Sequence, residues 1–539
     1  YNVSVPKTGR YNLSLSYAAI DGTASEIKLG IMIDGKYPFD EAENIVFPTM
    51  WQNSTNEWKT NEDGDDISPE QEEYYGEVSG LAKDNTGVAV EPYEFVLTQG
   101  NHSFTVEANG TPFILTEITL KPVEEIAAYS EVKPSDSDVD TMPSEERVVI
   151  QAEKCGLKTA NVIVPKYDNS SVALTPSSVS TVKLNYLGGS WSSPNQLVEW
   201  SFDIENSGYY KIGFHFKQDT VINSETYRWL KIDGKTPFTE AKTIAFPYST
   251  GWQFKTLSDA DGEECLIWLD KGTHTLTLEA TLGSMAPYYE KLSKIIESLG
   301  NLYSQIVWIT GDSPDANRDY ELFNAIPGFE ETLKSNMEAL NNLSEELSNL
   351  NGEKSTQYIA SFNNMARVIR LMIEKPYIAH QYLSDYYSNY CTVSAWLSEM
   401  ADMPLSLDEI QIVSYNSVFD EKDVGFFKKF AFGFKRFLCS YTNDYNTESD
   451  KEGTTLRLWV NWGRDQAQIL RNLIQDSFTE ETGINVKVEV VNATLIQGIL
   501  SGSAPDVALQ LSRAQPVNLG IRNALYDLKQ FDDFETVLG

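Results

Sequence analysis

Basic residues are scarce in this 539-residue chain, which has 42 Lys and Arg against 78 Asp and Glu and a net charge of −36. So acidic a surface repels phosphate backbones, which excludes nucleic acid as an expected partner. Long apolar runs are also missing: no stretch reaches about 18 uninterrupted apolar residues, so we expect no bilayer-spanning helix. The chain opens at Tyr1 without a signal-peptide pattern and stops at Gly539 soon after a new α/β pattern begins, so we expect an excerpt of a longer polypeptide.

Cysteine is rare as well. The chain contains Cys155, Cys265, Cys391 and Cys439, with no Cys-x-x-Cys pair and no Cys/His spacing typical of a metal site. This excludes a disulfide framework, and buried or unreactive thiols are expected. A Cys155–Cys265 bridge stays open, because the sequence alone does not decide it.

Core-forming residues are plentiful, with 41% hydrophobic and 12% aromatic residues, which argues against global disorder. A chain this long exceeds one core, so three or four domains are expected.

An internal repeat is the strongest pattern in the sequence. YNVSVPKTGRY at Tyr1 matches WSFDIENSGYY at Trp200, at an offset of 199 residues. LTQGNHSFTVEA at Leu97 matches LDKGTHTLTLEA at Leu269, at an offset of 172. The difference is extra sequence in the first copy, around 56–91, whose acidic, Gly-rich composition predicts a surface loop. Both copies alternate apolar and polar residues between turns, which predicts two β-sandwiches.

The last strand of the repeat reveals an insertion. LTEITL at Leu115 ends the first copy, but its counterpart LDEIQI appears only at Leu407, about 120 residues later than the repeat requires. Roughly 286–403 instead shows a period of about 3.6, which predicts a bundle of about four helices inserted in the second sandwich. The apolar faces are formed by Leu333, Met337, Leu340, Leu347 and Leu350, and by Ile359, Phe362, Ala366, Ile369 and Ile373.

Two further features recur in both copies. Asp34-Gly35 and Asp233-Gly234 are typical of hairpin turns, where Gly permits positive φ. His102 and His274 occupy equivalent positions beside a turn Gly, and we expect structural rather than catalytic roles, since no nucleophile recurs with them.

The second copy resembles carbohydrate-binding modules of families six and thirty-five, which are galactose-binding-like β-sandwiches. The resemblance rests on QAEKCG at Gln151, VEWSFDIENSGYYKIGFHF at Val198, LDKGTHTLTLEA at Leu269 and LSLDEIQIV at Leu405. It implies a structural calcium held by Glu153 and Asp408, whose hard carboxylate oxygens suit the ion. Solvated or capping acids are the alternative.

Sugar recognition requires aromatic faces and planar polar side chains. The second copy offers Trp191, Gln218, Arg228 and Trp252, which we predict as sugar-binding residues, and the first copy offers Trp51 and Trp58. Aromatic residues that belong to the sandwich core, in modules that serve only as spacers, are the alternative.

The carboxy-terminal stretch predicts a strand–helix–strand–helix–strand order, the start of a doubly wound α/β fold. It resembles the amino-terminal lobe of extracellular solute-binding proteins of carbohydrate ABC transporters. The resemblance is carried by LRLWVNWG at Leu456, FTEETGINVKVEVV at Phe478, GSAPDVAL at Gly502 and NALYDL at Asn523. It implies that strand-end loops bind sugar, namely Asn461, Trp462, Gly463, Arg464 and Asp465 after the first strand, and Gln510, Leu511, Ser512 and Arg513 after the third.

The segment 425–446 contains FFKKFAFGFKRFLCSY, which predicts a basic amphipathic helix. Such a helix can lie on an anionic membrane surface, or it can pack on a neighbouring domain.

The sequence therefore predicts a multidomain chain with two jelly-roll β-sandwiches, a helical bundle and a partial α/β lobe of periplasmic-binding-protein type. The expected function is non-catalytic capture of an oligo- or polysaccharide for an ABC transporter permease. The expected location is extracellular, at the cell surface or as a membrane-anchored lipoprotein of a Gram-positive-type bacterium. The accessory region of a surface carbohydrate-active enzyme and a structural or adhesive surface protein are the alternatives. The expected parts are 1–124 (first sandwich), 125–146 (linker), 147–285 with 404–414 (second sandwich), 286–403 (bundle), 415–452 (linker helix) and 453–539 (lobe).

Overall fold

The computed structural model describes residues 1–20, 26–61, 64–110, 112–135, 145–189, 191–350, 357–422, 455–460, 470, 473–474, 478, 482, 484–490, 495, 499, 504–522, 524–531 and 534. The chain forms two compact units, Tyr1–Gly433 and Phe434–Gly539, and each is described by itself.

The first copy of the repeat folds into two packed antiparallel sheets. One has the order β1-β9-β3-β4, and the other has β10-β2-β7 with β8 also pairing β2. Alternate residues of β2 are buried, as the pleat requires when one face packs on a core. The strands are β1 (Asn2–Val5), β2 (Gly9–Ala19), β3 (Ile27–Ile33), β4 (Ile45–Phe47), β5 (Met50–Asn53), β6 (Gln71–Tyr74), β7 (Val78–Leu81), β8 (Glu94–Leu97), β9 (Gly100–Ala108) and β10 (Phe113–Pro122).

The second copy repeats this plan with a larger sheet. That sheet has the order β12-β13-β21-β15-β18, with β11 pairing β21 and β19 pairing β15, and it packs on β14-β20-β16-β17. After the short helix α1 (Tyr129–Val132), the strands are β11 (Arg147–Gln151), β12 (Ile163–Lys166), β13 (Tyr186–Gly189), β14 (Leu197–Ile204), β15 (Gly208–Lys217), β16 (Glu225–Ile232), β17 (Ile244–Pro247), β18 (Gln253–Thr256), β19 (Ile267–Leu269), β20 (Gly272–Thr281) and β21 (Ser406–Ser414). Cys155 and Cys265 are both free and buried in this sandwich, so they form no bridge.

The helical region lies between β20 and β21. Its helices are α2 (Ala286–Thr310), α3 (Leu322–Ala325), α4 (Phe329–Leu350), α5 (Gln357–Glu374) and α6 (Leu383–Ala401). Leu333, Leu340 and Leu347 of α4 are buried as their spacing predicts, whereas Leu350 at the helix end is 39% exposed. Among the described residues, no helix is long and apolar enough to cross a membrane.

The recurring Asp-Gly turns close in the same way in both copies. Asp34 and Gly35 have φ of 52° and 77°, and Asp233 and Gly234 have 49° and 72°, as a two-residue hairpin turn requires. His102 Nδ1 lies 2.7 Å from Asp34, and His274 Nδ1 lies 2.7 Å from Asp233. Each Nε2 faces a backbone carbonyl, so both imidazole nitrogens point at acceptors. The histidines are therefore structural, and their repeated partner is the turn aspartate.

The extra sequence of the first copy is more than the predicted surface loop. It includes β6 and β7, and its flanks reach the second copy. Trp51 and Lys158 exchange two backbone hydrogen bonds of 2.7 and 2.9 Å. Asp66 pairs with Lys183 at 2.7 Å, and Lys83 pairs with the buried Glu279. The composition of this segment predicted an exposed loop, but Asp66 and Lys83 pair with residues of the other copy, which the pattern of a single copy does not reveal.

The second unit contains a parallel three-stranded sheet of order β23-β22-β24, formed by β22 (Thr455–Val460), β23 (Asn485–Val490) and β24 (Val507–Ala508). Leu458, Val460, Val486 and Val488 form its apolar cluster. Asp506 accepts a hydrogen bond from the Arg457 backbone N–H at 2.8 Å, which fixes the turn before β24. The helix α7 (Ala514–Ile521) follows.

Candidate functional site

A half-buried tryptophan forms the centre of a polar cluster on the second sandwich. Trp252 precedes β18, and its indole Nε1 donates a hydrogen bond to Asp168 Oδ2 at 2.9 Å. The Tyr186 ring, on β13, meets the indole edge-on at 5.5 Å between centroids. The Lys217 ammonium, at the end of β15, lies 5.4 Å from the indole centroid. We call Trp252, Asp168, Tyr186, Lys217 and His215 the Trp252 cluster.

The loop that carries Asp168 is held from beneath by a buried amide. Asn185 is 1% exposed; its Oδ1 accepts from the Asp168 N–H at 2.9 Å and its Nδ2 donates to the Asp168 carbonyl at 3.0 Å. Burial opposes ionisation of Asp168, but hydrogen bonds from Ser170 and Trp252 outweigh it and hold its pKa below the ordinary value. The carboxylate is therefore a fixed anionic acceptor beside the indole.

The negative charge of the cluster is partly neutralised by one lysine. Lys217 Nζ lies 3.3 Å from both Asp168 and Asp219, so one cation serves two carboxylates. Burial raises the pKa of the Tyr186 phenol, which stays neutral and can both donate and accept. The arrangement offers an aromatic face with a carboxylate, an ammonium and a phenol around it, which suits a polyhydroxylated ring.

His215, a member of the cluster, connects it to two buried carboxyl groups. His215, whose ring packs 5.5 Å from Trp252, contacts Asp408 Oδ2 through Nδ1 at 2.5 Å. Asp408 and Glu153 are 0% and 1% exposed, and burial raises the pKa of both carboxyls, that of Glu153 to about 8. Glu153 Oε2 has no hydrogen-bond partner among the described residues.

These acids fit a calcium ion only in part. The orphaned oxygen of Glu153 and its proximity to Asp408 favour a cation, because an unpaired buried carboxylate is costly. His215 already occupies one oxygen of Asp408, and the Thr175 N–H approaches the other at 3.4 Å. No group of three or more His, Cys, Asp or Glu residues that could hold a metal is found within the described part of the chain. Calcium at Glu153 and Asp408 therefore stays a prediction.

Three of the four residues predicted to bind sugar in this sandwich have their side chains turned inward. Trp191 and Arg228 are both 0% exposed, with the guanidinium 4.4 Å from the indole centroid. Arg228 donates to the Trp191 and Met403 carbonyls at 3.0 and 2.8 Å, which ties the sandwich to the end of the bundle. Gln218 is 1% exposed and bonds the backbone of its own loop at Thr220, Val221 and Ser224. Of the four, Trp252 alone presents side-chain surface to a ligand here.

The predicted lobe site is described only in its second half. Asn461, Trp462, Gly463, Arg464 and Asp465 lie outside the described residues, as does 425–446. Gln510, Ser512 and Arg513 lie between β24 and α7, where Gln510 has φ of 57° and Arg513 is the residue before the helix. Their ligand-binding role stays a prediction.

The sequence did not predict a binding role for four members of the cluster, Asp168, Tyr186, Lys217 and His215. For His215 a signal existed, because it stands between two phenylalanines in the apolar run of β15 and must face the opposite side of the sheet. Asp168 and Tyr186 come from loops and strand ends distant in sequence, and no periodicity connects them to Trp252.

Comparison with known proteins identifies the bundle. Residues 287–386, about a fifth of the chain, match the model of the bacterial solute-binding protein 4-helix bundle domain. No curated protein matches the chain.

Solved structures resemble parts of the chain weakly. A family 35 carbohydrate binding module from Clostridium thermocellum is 16% identical over 25% of this chain and 86% of that one, with a TM-score of 0.18. The family 35 module from Paenibacillus barcinonensis is 14% identical over 25% and 88%, with a TM-score of 0.18. A cycloisomaltooligosaccharide glucanotransferase of Paenibacillus sp. is 20% identical with a TM-score of 0.19, over 26% of this chain, which spans 16% of that enzyme's length. Likenesses this weak carry no argument about function.

Proposed function

We propose that the chain is a non-catalytic saccharide-binding protein, the solute-binding component of an ABC sugar transporter at the bacterial surface. The match of 287–386 to the solute-binding protein bundle domain is the observation that carries this proposal. The parallel order of β22, β23 and β24 supports a lobe of the periplasmic-binding-protein type, since ligands bind beyond the carboxyl ends of such strands. A permease is the partner that this role implies.

The Trp252 cluster is the proposed saccharide contact of the second sandwich. A pyranose ring presents a C–H face that packs on an indole, and its hydroxyls need charged or polar partners at fixed positions. Asp168 supplies acceptors, Lys217 donors and Tyr186 both, all around the same indole. These residues act by binding and orienting, and no step of bond cleavage is proposed.

Affinity electrophoresis tests this site with the full chain. The protein is run in native gels that contain amylose, glucomannan, arabinoxylan or galactan. Trp252→Ala is expected to weaken binding to the retained polymer about tenfold, because truncating a central aromatic anchor removes the contact that organises the site. Trp268→Ala is the matched control, because Trp268 lies in the same sandwich, is 44% exposed, meets the Tyr209 ring edge-on and lies outside the Trp252 cluster. Equal retention of the two variants would contradict the assignment.

The transport role has its own test. A solute-binding protein captures free oligosaccharides, so soluble fragments of the retained polymer should raise the melting temperature of the chain by mass action. Binding of the intact polymer without any response to its soluble fragments would favour the accessory region of a carbohydrate-active enzyme. Retention by no polymer would favour a structural or adhesive role.

A further inference from the structure

One tryptophan of the helical region stands out by its exposure. Trp308, near the end of α2, is 90% exposed, and the next most exposed described tryptophan, Trp268, is 44% exposed. An indole is a large apolar group that normally gains by burial. Trp308 does not belong to the bundle core, to which α2 contributes residues of its opposite face, such as Leu299 and Ile306.

A polar groove runs along the same face of the helix. It has a volume of about 310 Å³ and is lined by Lys294, Glu297, Ser298, Asn301 and Gln305 of α2, facing Pro327 and Thr332. Its volume lies at the lower end of the range for small-molecule sites.

Trp308 does not line the groove itself but lies about one helical turn beyond Gln305, the last residue of α2 that does. It follows Gln305 by three residues and Asn301 by seven, which places all three side chains on one face. Helical side chains lean toward the N-terminus, so the indole extends over the turn that carries Gln305. Within the described part of the chain, the amides of Asn301 and Gln305 form no hydrogen bond with another residue.

The chemistry of the groove indicates the class of ligand. The indole of Trp308 supplies an apolar face for the C–H groups of a sugar ring. The side-chain amides of Asn301 and Gln305 supply donors and acceptors for its hydroxyls. Lys294 lies 2.6 Å from Glu290, and Glu297 also lines the groove, so one cation faces two carboxylates and no excess of positive charge favours an acidic ligand. We infer, resting on the proposed function of saccharide binding, that this face of α2 is a second saccharide-binding site. It takes a neutral oligosaccharide, with Trp308 stacked on one pyranose ring and Asn301 and Gln305 bound to its hydroxyls.

The site is tested in the full chain that also carries Trp252→Ala, so that the sandwich site is disabled. Native gels contain amylose, dextran, glucomannan, arabinoxylan or galactan. We expect at least one of these neutral polymers to retain this background, and Trp308→Ala to weaken that retention about tenfold. Asn301→Ala with Gln305→Ala should weaken it as well. Tyr377→Ala is the matched control, since Tyr377 is an aromatic of the helical region that is 77% exposed.

Three results would overturn the inference. One is the absence of retention by every polymer in the Trp252→Ala background, which leaves the sandwich site itself unaffected. Another is equal retention of the Trp308→Ala and Tyr377→Ala variants. The third is a change in self-association on sedimentation, without a change in retention, which would make Trp308 a protein contact. Circular dichroism and the melting temperature of each variant establish that it is folded.

Discussion

A buried ion cluster between the two sandwiches predicts how much one substitution weakens their docking. Glu279 of β20 is fully buried and pairs with Lys231 of the same sandwich at 3.1 Å and with Lys83 of the first copy. Burial raises the pKa of Glu279, but the two lysines outweigh it and lower that pKa to about 2. We predict that Lys83→Met will loosen the docking of the first sandwich on the second.

The magnitude follows from the pKa of Glu279. Lowering it from the ordinary 4.5 to about 2 corresponds to roughly 3 kcal/mol of interaction with its cations. Burial lowers the pKa of Lys83, so part of that energy is offset by the cost of removing its ammonium from water. The lowered pKa of Glu279 favours the ion cluster, whereas the lowered pKa of Lys83 opposes it. We expect the cluster to be stabilising overall, because the carboxylate has two cationic partners while Lys83 has one anionic partner. Lys231 still pairs with Glu279 after the substitution, so Lys83→Met is expected to cost about 1–2 kcal/mol, less than the loss of every partner of a buried charge.

Urea denaturation followed by tryptophan fluorescence and limited proteolysis of the first sandwich measure the effect. Lys242→Met is the control, because Lys242 also joins the copies, to Glu91 at 2.6 Å, but Glu91 is 58% exposed. Such a pair contributes about 0–1 kcal/mol. A double-mutant cycle of Lys83→Met with Glu279→Gln isolates the coupling.

The pH dependence has a fixed sign. A carboxyl with a lowered pKa in the folded state stabilises the fold above its unfolded pKa, and the stabilisation is lost as the pH falls from about 4.5 toward 2. The Glu279→Gln variant should lack this acid transition. Equal effects of Lys83→Met and Lys242→Met, or a coupling below about 0.5 kcal/mol, would refute the reasoning.

Three further predictions use other buried or paired groups. A hydrogen bond to Asp34 raises the pKa of His102, and for His274 hydrogen bonds to the Asp270 carbonyl and to Asp233 outweigh burial and raise its pKa. The melting temperature should therefore fall as the pH rises above the ordinary histidine pKa of 6.5, and a His102→Gln/His274→Gln variant should lack that slope. Arg228→Leu leaves the Trp191 and Met403 carbonyls without a donor and should cost about 2–4 kcal/mol, measured by calorimetry, and hydrogen exchange should rise at the end of the bundle. The effect of Glu153→Gln on the melting temperature depends on calcium. Without the ion the variant should melt at a higher temperature than the parent chain at pH 8, since burial raises the pKa of Glu153 to about 8, and with bound calcium it should melt at a lower one. An equal melting temperature of the parent chain in EDTA and in CaCl₂ would contradict the calcium prediction.

The repeat made much of the first unit predictable. Offsets between matching segments identified LDEIQI as a strand although about 120 residues intervene, and β21 contains it. Helical period identified Leu340 and Phe362 as core residues, and both are buried. Periodicity works here because each element has one face on a core.

The site was less accessible from sequence, for a physical reason. Residue type made Trp191 and Arg228 candidates for sugar binding. The sequence alone, however, does not distinguish a Trp–Arg pair packed together inside a core from such a pair at the surface. Asp168 and Trp252 meet through a hydrogen bond between distant loops, which depends on the packed sandwich rather than on local pattern. The docking by Lys83 and Asp66 likewise depends on a partner surface that neither copy displays in its own sequence.

The position of β21 has a consequence for how the chain is made. This strand pairs with β11, β13 and β15 in the middle of the large sheet, yet it is synthesised only after the whole helical region. Until β21 is made, the strands on its two sides have no strand to join them, and their unpaired edges can pair incorrectly. The helices form local contacts and fold fast, whereas the sheet must close a long loop. We therefore expect the inserted helices to fold first and to bring together the two parts of the second sandwich, which then completes its large sheet.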